Sequence, residues 1–223
     1  MLSIVIPTLN AETELPGTLA IVQATSMAHE IIIADGGSKD QTPFIAADAG
    51  TKFTATLGGR GPQLQAGTLY ATGDWLLFLH ADTRPQPGWD HVVGDFMSNP
   101  DNRFRAGYFQ FILGDTRPAA RRIEDLVRWR CQTFGLPYGD QGLLISREFY
   151  DLLGGFKPVA LMEDVEMVRA IGIKRLVELP SAAVTSAKKY QQDGFWMRPI
   201  KNLWCLGLYF IGVPPRLIGS LYK

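Results

Sequence analysis

Two short β-branched runs, Leu2 to Pro7 and Glu30 to Asp35, constrain the fold of this chain most. Neither run alternates apolar with polar residues, which is typical of strands that are covered on both faces of a parallel sheet. The stretch from Glu12 to Ala28 between them has the pattern of a helix. The chain therefore opens with a strand, a helix and a second strand, the unit from which parallel sheets are built.

Further strands and helices follow along the chain. In the first half we predict a helix over Pro43 to Ala49, a strand over Lys52 to Thr56, a helix over Gln63 to Thr72 and a strand over Asp74 to Leu79. From Arg105 onward we predict a strand over Gly107 to Leu113, a helix over Arg121 to Phe134, a strand over Leu143 to Ser146 and a helix over Glu163 to Ile171. The first half therefore indicates a parallel, doubly wound sheet.

Length and charge narrow the class of protein. With 223 residues, 46% of them hydrophobic, the chain is long enough for one domain with a substantial core. Its 22 basic residues balance its 22 acidic residues. We therefore expect no nucleic-acid partner, and we expect local groups to bind any anionic ligand.

The chain shows no pattern of export or of membrane spanning. Its start has no basic region and no cleavage site, and Cys131 and Cys205 fit no metal-binding spacing, so we expect a reduced, cytoplasmic setting. The longest apolar stretch, Leu203 to Pro215, is shorter than the roughly 20 residues that cross a bilayer.

Polar residues stand at the ends of the first two strands, where open α/β sheets bind ligands. The first strand ends in Pro7-Thr8-Leu9-Asn10 and lacks the Gly-x-Gly-x-x-Gly turn of dinucleotide-binding proteins, which argues against a dehydrogenase. The second strand ends at Asp35, before Gly36-Gly37-Ser38-Lys39-Asp40. The Asp35 carboxylate can accept hydrogen bonds from a base or ribose. Alternatively, Asp35 caps the glycine turn and Asp40 caps the next helix.

A glycine-rich loop over Gly58 to Pro62 brings Arg60 to the same edge of the predicted sheet, with Gln63 entering the next helix. A guanidinium group suits phosphate or a pyrimidine carbonyl. The alternative is an ordinary solvated turn.

The segment from Leu76 to Asp82 is an apolar run that stops at a His-x-Asp sequence. Such a run predicts a buried strand that delivers a carboxylate to a cleft. Mg²⁺ and Mn²⁺ are commonly held by few carboxylates together with substrate phosphates, so Asp82 alone can suffice. His80 either contacts the ligand or is a partly buried histidine bonded to the backbone.

Two acidic residues, Glu163 and Asp164, open the predicted helix that follows Gly154-Gly155-Phe156. They either compensate the helix dipole, or one of them faces the cleft and takes a proton from an acceptor hydroxyl.

In this order the motifs resemble a family 2 glycosyltransferase with the GT-A fold. The resemblance covers about residues 2 to 170 and rests on Ile4-Val5-Ile6-Pro7-Thr8-Leu9-Asn10, Asp35-Gly36-Gly37-Ser38-x-Asp40, the segment Gly73 to Asp82, Gly154-Gly155-Phe156 and Glu163-Asp164-x-Glu166-x-x-Arg169. Further motifs resemble a bacterial subgroup named for arsenosugar biosynthesis: Gly59-Arg60-Gly61-x-Gln63, Leu79-His80-Ala81-Asp82-Thr83, Thr185-Ser186-Ala187-Lys188-Lys189-Tyr190 and Gly212-Val213-Pro214-Pro215.

The resemblance implies a role for each matching residue. It places the nucleoside at Pro7, Thr8, Glu12 and Asp35. It places Arg60 near the base or diphosphate, and because Leu64-Gln65 replaces the common Arg-Asn, the base contact moves to Arg60 or Gln63. It makes Asp82 the ligand of Mn²⁺ or Mg²⁺ and Asp164 the base of an inverting transfer, while His80 replaces the first Asp of the Asp-x-Asp motif. The Gln-x-x-Arg-Trp motif of processive synthases is absent, which implies a single transfer.

We accordingly expect one α/β domain over residues 1–223, with a mainly parallel central sheet flanked by helices. Within it we expect a nucleotide-binding half over 1–104, an acceptor-binding half over 105–185 and an amphipathic C-terminal helical tail over 186–223. The expected activity is transfer from a nucleotide-sugar donor, a UDP-sugar first of all, to an acceptor hydroxyl.

The tail has two interpretations. Its apolar residues are Phe195, Trp196, Leu203, Trp204, Leu206, Leu208, Tyr209, Phe210 and Ile211, and its basic ones are Lys188, Lys189, Arg198, Lys201 and Arg216. Such a helix suits a lipid interface, which predicts a lipid-linked acceptor and a place at the inner face of the cell membrane. Alternatively, it packs on its own domain or on a second copy in a homodimer.

Two rival functions stay open. A sugar nucleotidyltransferase should carry a Gly-rich loop with a basic residue after its first strand, and Pro7 to Asn10 has none. A non-catalytic sugar-nucleotide-binding or membrane-docking protein would have no need of Asp82 and Asp164.

Overall fold

A computed structural model describes residues 1–195, 197–214 and 217–218. Of the residues assigned to the tail, Trp196, Pro215, Arg216 and 219–223 lie outside the described residues, as do the side chains of Lys189 and Arg198.

The described residues form one eight-stranded sheet with the order β3-β2-β1-β4-β7-β6-β8-β5. Its strands are β1 (Leu2–Thr8), β2 (His29–Asp35), β3 (Lys52–Ala55), β4 (Trp75–Phe78), β5 (Thr83–Pro85), β6 (Ala106–Leu113), β7 (Leu143–Ser146) and β8 (Leu176–Thr185). The strands β3, β2, β1 and β4 are parallel, which confirms the prediction for the first half. The direction then changes, because β7 is antiparallel to both β4 and β6, and β5 is antiparallel to β8, whereas β6 and β8 are parallel.

Apolar side chains cover both faces of the sheet, which explains the absence of alternation in the first strands. On β1, Leu2, Ile4 and Ile6 pack into one cluster with residues of the first and fourth helices. Val5, between them, faces the other cluster, with Ile32. Successive residues of a strand point to opposite faces, so both sets must be apolar when both faces are covered.

The helices are α1 (Leu15–Gln23), α2 (Thr42–Asp48), α3 (Arg60–Tyr70), α4 (Trp89–Ser98), α5 (Pro118–Phe134), α6 (Arg147–Leu152), α7 (Glu163–Ile171), α8 (Lys188–Asp193) and α9 (Met197–Phe210). The helix predicted over 12–28 is shorter at both ends. After α1, the Thr25 hydroxyl donates to Asp90 and accepts from the Met27 N–H, which turns the chain toward β2.

The prediction that Arg60 lies in a loop was wrong, since Arg60 is the first residue of α3. Gly59 precedes it with φ 102°, a conformation that glycine adopts without strain. The Gly61 N–H then donates to the carbonyl of Val159 over 3.1 Å. A Cβ at Gly61 would lie 2.3 Å from the Lys157 carbonyl oxygen, so the start of α3 can approach the 157–160 segment only with glycine there.

The last described helix, α9, is buried on one side and exposed on the other. Cys205 and Leu206 are buried, and Leu206 packs with Leu136, Val165 and Val168. The exposed apolar residues of this helix are Met197, Ile200, Leu203, Trp204 and Phe210. No helix among the described residues is both long and apolar enough to span a bilayer.

Candidate active site

A cavity of about 620 Å³ opens at the carboxyl ends of β1 and β4. Of the residues predicted for the site, it is lined by Pro7, Thr8, Arg60, Gln63, His80, Asp82 and Asp164. Glu12 and Asp35 are not among its lining residues. The fold thus brings most of the predicted residues together, although they come from widely separated parts of the chain.

Asp35 is buried beside the cavity and accepts four hydrogen bonds from its own chain. One carboxylate oxygen accepts from the Thr8 and Ser38 hydroxyls at 2.8 and 2.6 Å, and the other from the Gly37 and Ser38 N–H groups at 2.8 and 2.7 Å. Burial works to raise the pKa of Asp35, but these hydrogen bonds outweigh it, and the pKa lies below its ordinary value. The glycine-turn interpretation of Asp35 is therefore confirmed, while its contact with a nucleoside stays a prediction.

Glu12 lies on the surface and ties two loops together. Its carboxylate accepts from the Gln41 N–H over 3.0 Å, and its own N–H donates to Asp40 over 3.0 Å. Asp40 also accepts from the Thr42 N–H at the start of α2, as a capping residue does. The nucleoside contact of Glu12 stays a prediction.

Gln63 links the ends of β1 and β2 through hydrogen bonds from its side chain. Its side chain is buried and donates to the carbonyls of Thr8 and Ala34, over 2.7 and 2.9 Å. Two carbonyls at the edge of the sheet are thereby satisfied by one amide group. Gln63 consequently holds the segment after β1 in its position on the cavity wall.

Arg60 links His80 with an acidic residue of α7. Its Nη1 lies 3.4 Å from His80 Nε2 and 3.5 Å from Glu163 Oε1. The Arg60 side chain is 37% exposed, whereas that of Glu163 is 1% exposed. Arg60 therefore presents a positive group to the cavity while it pairs with a buried carboxylate.

Asp82 lies in the turn between β4 and β5, not within a strand. Its carbonyl accepts from the Ser186 N–H over 3.2 Å, and Thr83 begins β5. Among the described residues, no three His, Cys, Asp or Glu side chains gather closely enough to hold a metal ion. A divalent ion here would fit Asp82 only together with ligand oxygens, as is common for Mg²⁺.

Asp164 occupies the first turn of α7 and lines the cavity. One carboxylate oxygen accepts from the Val165 N–H over 2.8 Å, and the other from the Gly139 N–H over 2.9 Å. The helix-terminal interpretation and the cleft-facing interpretation of this carboxylate thus hold together. Two backbone donors therefore fix the orientation of this carboxylate at the cavity.

A turn over Gly139–Gln141 contributes a residue that sequence reasoning missed, Asp140. Its carbonyl accepts from the Thr185 and Thr83 hydroxyls, at 3.1 and 3.4 Å, and the residue lines the cavity. Burial raises the pKa of Asp140 to about 6, with Asp164 and Asp82 adding to the rise and Arg130 opposing it. Asp140 stands in a short turn between α5 and β7, where no periodic pattern marks it, so only the fold reveals it.

Glu163, the other carboxylate at the start of α7, also lies at the cavity. Burial and the neighbouring Asp164 raise the pKa of Glu163 to about 7, although Arg60 opposes the rise. The sequence placed Glu163 at the helix start but left open which of the two carboxylates faces the cleft. In the structure both residues line the cavity.

The cavity wall therefore combines the segment at the end of β1, the basic group of Arg60 and the carboxylates Asp82 and Asp164. The family model described as "Glycosyl transferase family 2" matches residues 3–151. A PGL/p-HBAD biosynthesis glycosyltransferase of Mycobacterium tuberculosis is 39% identical over 94 residues, which are 37% of this chain and 35% of that protein.

A second relative covers more of the chain. The undecaprenyl-phosphate 4-deoxy-4-formamido-L-arabinose transferase of Enterobacter sp. (strain 638) is 29% identical over 168 residues, 64% of this chain and 47% of that protein. The chain thus spans about a third to a half of the length of these two relatives.

Among solved structures, the glucosyl-3-phosphoglycerate synthase of Mycobacterium tuberculosis in complex with Mn²⁺, UDP-glucose and phosphoglyceric acid is similar with a TM-score of 0.58. The identity is 19%, and the match covers 80% of this chain and 68% of that chain. At this level of identity the likeness shows a shared fold.

Proposed function

The chain belongs to glycosyl transferase family 2, and we propose that it moves one sugar from a nucleotide-diphosphate donor, a UDP-sugar, to an acceptor hydroxyl with inversion at the anomeric carbon. Its fold is the GT-A fold. The observation that carries the proposal is one cavity in which Thr8, Arg60, Asp82 and Asp164 all form the wall. These groups are the parts that such a transfer requires.

The donor would lie with its nucleoside against the segment after β1. Pro7 and Thr8 line the cavity there, and Gln63 holds the backbone of Thr8. Arg60 supplies a positive group for the diphosphate or base, with His80 beside it. Asp35 and Glu12 support the same loops through hydrogen bonds, and their direct contact with the nucleoside remains part of the proposal.

Asp82 would hold Mn²⁺ or Mg²⁺ together with diphosphate oxygens. A bound divalent ion offsets the charge that develops on a leaving diphosphate. Asp82 suits this task because it is half-buried in a turn at the cavity wall, where the backbone is tied to Ser186.

Asp164 would be the base of the reaction. A hydroxyl that attacks the anomeric carbon must lose its proton to a group within hydrogen-bond reach. The Gly139 and Val165 N–H groups hold the Asp164 carboxylate in a fixed orientation toward the cavity. Inversion follows when the hydroxyl attacks from the face opposite the diphosphate.

The last part of the proposal concerns the acceptor and the cellular setting. A lipid-linked acceptor is supported by the exposed apolar side of α9, and one relative is named for undecaprenyl-phosphate. Residues 194–223 also contain Arg198, Lys201, Arg216 and Lys223 and no acidic residue, which favours an anionic membrane surface at the inner face of the cell membrane. A homodimer through α9 is the alternative.

We retain the three-part division of the chain, 1–104 for the nucleotide, 105–185 for the acceptor and 186–223 as the tail, as a prediction. Membership of the subgroup named for arsenosugar biosynthesis also stays a prediction. It rests on Gly59 to Gln63 and on Thr185 to Tyr190.

Calorimetric titration of the purified protein with UDP, GDP, CMP, ADP and TDP, each with and without Mn²⁺, tests the proposed function. We expect UDP to bind tightly and only with the metal. Binding of none of the five would overturn the proposal and favour the non-catalytic alternative. Tight binding of a nucleoside diphosphate without any effect of Mn²⁺ would remove Asp82 from its assigned role.

A further inference from the structure

The segment 136–141, between α5 and β7, carries a donor that holds the proposed base. The Gly139 N–H donates to the Asp164 carboxylate over 2.9 Å. Tyr138 and Asp140, on either side of Gly139, line the cavity with it. The place of the Asp164 carboxylate in the cavity therefore depends on how this segment is held.

Arg130 of α5 holds the segment at three points. Its Nε donates to the Leu136 carbonyl over 2.9 Å, and its Nη2 donates to the Gln141 side-chain oxygen over 3.2 Å. Its guanidinium carbon lies 3.5 Å from the centroid of the Tyr138 ring. The two hydrogen bonds thus reach both ends of the segment, and the ring contact lies next to Gly139. A planar guanidinium group can stack on a ring and donate from several nitrogens at once, whereas an ammonium group cannot.

Gln141 ties the far end of the same segment to the sheet. Its side chain is buried, and its amide donates to the Phe109 carbonyl of β6 over 3.1 Å. Its side-chain oxygen also accepts from the Tyr138 N–H over 3.3 Å. Gly139 therefore lies in a segment that is fixed to α5 and to β6.

The position of a general base affects the rate of the reaction. A base must lie within hydrogen-bond reach of the proton that it takes, and a displacement of about 1 Å can lower a rate by about 100-fold. Arg130 is not among the residues that line the cavity. Any effect of Arg130 on proton transfer must accordingly pass through the segment that it holds.

We infer that Arg130 is a positioning residue for Asp164, whose carboxylate it places through the segment 136–141. This inference rests on the proposed function, in which Asp164 takes the proton of the acceptor hydroxyl. Arg130 acts here by the shape of its guanidinium group. Its charge offers a competing explanation, because burial raises the pKa of Asp140 to about 6 and Arg130 opposes that rise.

Nuclear magnetic resonance of one amide tests the link between Arg130 and Gly139. Tyr138-Gly139 is the only Tyr-Gly pair in the sequence, so ¹³C-carbonyl tyrosine combined with ¹⁵N-glycine selects the Gly139 N–H alone. The Asp164→Ala variant gives the position of this signal without its carboxylate acceptor. We expect the signal of Arg130→Gln to move in the same direction. In the control Arg128→Gln, which changes an exposed residue of the same helix, the signal should keep its wild-type position.

Release of UDP from a nucleotide sugar tests the consequence for the reaction. UDP-glucose, UDP-galactose and UDP-N-acetylglucosamine are supplied in Mn²⁺ with water as the acceptor, and the donor that the wild type uses best is taken for the variants. Water attacks the anomeric carbon and loses its proton to Asp164, while UDP leaves with the electrons of the broken bond.

We expect Arg130→Gln and Arg130→Lys each to lower kcat by about 10- to 100-fold, because neither side chain can hold the segment at three points. The KM of the donor and the affinity for UDP should stay close to wild type. The controls Arg128→Gln and Arg128→Lys should keep the wild-type kcat. Loss of the three contacts should also lower the thermal unfolding temperature, so kcat and affinity are measured where circular dichroism shows each variant to be folded.

The outcomes separate this inference from the proposed function. If UDP does not bind the wild type, with or without Mn²⁺, the proposed function fails and this inference fails with it. If the wild type binds UDP and releases it from a donor, an unshifted Gly139 signal in Arg130→Gln overturns the inference alone. Equal losses of kcat and of UDP affinity also overturn it, and so does a wild-type kcat in Arg130→Lys, which would assign the effect to charge.

Discussion

Buried carboxylates on two sides of the cavity differ in their hydrogen bonding. At the end of β2, beside the cavity, Asp35 accepts four hydrogen bonds from Thr8, Gly37 and Ser38. On the side of the proposed base, Asp140 and Glu163 each keep a buried oxygen without a partner in the described chain. The carboxylate of Asp35 is thus fully paired within the chain, whereas those of Asp140 and Glu163 are only partly paired within its described residues.

The pKa values of these carboxylates differ in the same way as their hydrogen bonding. Hydrogen bonds lower the pKa of Asp35 despite its burial. Burial without such donors raises the pKa of Asp140 to about 6 and that of Glu163 to about 7. Perturbed carboxylates of the second kind are typical of functional sites, because the protein gives up stability to keep a reactive or binding group in place.

The largest effect on the rate of transfer should come from Asp164→Asn, which replaces the proposed base. Loss of a general base lowers kcat by about 10²- to 10⁴-fold, and we expect transfer to fall by that amount. The amide oxygen can still accept from the Gly139 N–H while the Val165 N–H loses its side-chain acceptor, so UDP binding should stay close to wild type and the thermal unfolding temperature should fall slightly. Unchanged kcat in a transfer assay would show that another group is the base.

Asp82→Ala should abolish Mn²⁺-dependent nucleotide binding while the fold stays intact. The residue lies in a turn outside the core, so its loss removes a ligand without leaving a cavity in the hydrophobic clusters. Titration of UDP in Mn²⁺ measures the first part, and the circular dichroism spectrum measures the second. An affinity equal to that of the wild type would contradict the assignment.

The same substitution at Asp35 and at Asp140 should change stability in opposite directions. Asp35→Asn replaces two acceptor oxygens with one acceptor and one donor, which leaves buried donors unpaired and should lower the free energy of unfolding by about 3 kcal/mol. Asp140→Asn removes a charge from a site that disfavours it and should raise that free energy by about 1 kcal/mol at pH 8. Urea unfolding of both variants measures these changes in the free energy of unfolding. Two changes of the same sign would contradict the difference inferred between Asp35 and Asp140.

Glu163→Gln should alter how stability depends on pH. The folded-state pKa of Glu163, about 7, lies above the ordinary value of 4.5. The folded protein therefore binds this proton more tightly than the unfolded chain, and the resulting stability is present below about pH 4.5 and lost as the pH rises through 7. Asp164 and Arg60 are the charged groups that set this value.

The advantage of the Glu163→Gln variant over the wild type should accordingly grow between pH 5 and pH 8, by about 1 to 3 kcal/mol in the free energy of unfolding. Urea titrations at four pH values measure it, with Glu148→Gln as the control for removal of one surface carboxylate. A difference that stays constant over this range would mean that Glu163 is already ionised at pH 5.

The smallest effect on stability should come from the exposed side of α9. Trp204 is 66% exposed, so Trp204→Ser should change the free energy of unfolding by less than about 0.5 kcal/mol. It should nevertheless lower the fraction of protein that sediments with vesicles of anionic lipid. Phe44→Ser, at an exposed position of α2, is the control. If neither substitution affects sedimentation, a second copy of the chain becomes the better partner for this surface.

Much of the structure around β1 and the turn after Asp35 could be predicted from the sequence, because the sequence signals there are local. The non-alternating run of β1 predicts burial on both faces, and the glycine turn after Asp35 predicts the capping that the structure confirms. The helix beginning at Glu163 was predicted with its observed bounds, since acidic residues at its start and Gly172 at its end mark both limits.

The other side of the site depends on contacts that no local pattern encodes. Asp140 stands near Asp82 only because β8 returns next to β6 and brings Thr185 to the same corner. Neither the strand β8 nor the helix α4 was predicted. Arg60 was assigned to a loop because the close approach of Gly61 to residues 157–159, which fixes the start of α3, joins segments almost a hundred residues apart.

The Asp164 carboxylate is held by a main-chain N–H, that of Gly139. A Cβ at Gly139 would lie 2.5 Å from His80 Nε2, so a larger residue at position 139 requires the His80 side chain to move. A backbone anchor does not depend on the identity of the adjacent side chains. A substitution of the Asp140 side chain therefore leaves in place the main-chain N–H that orients Asp164.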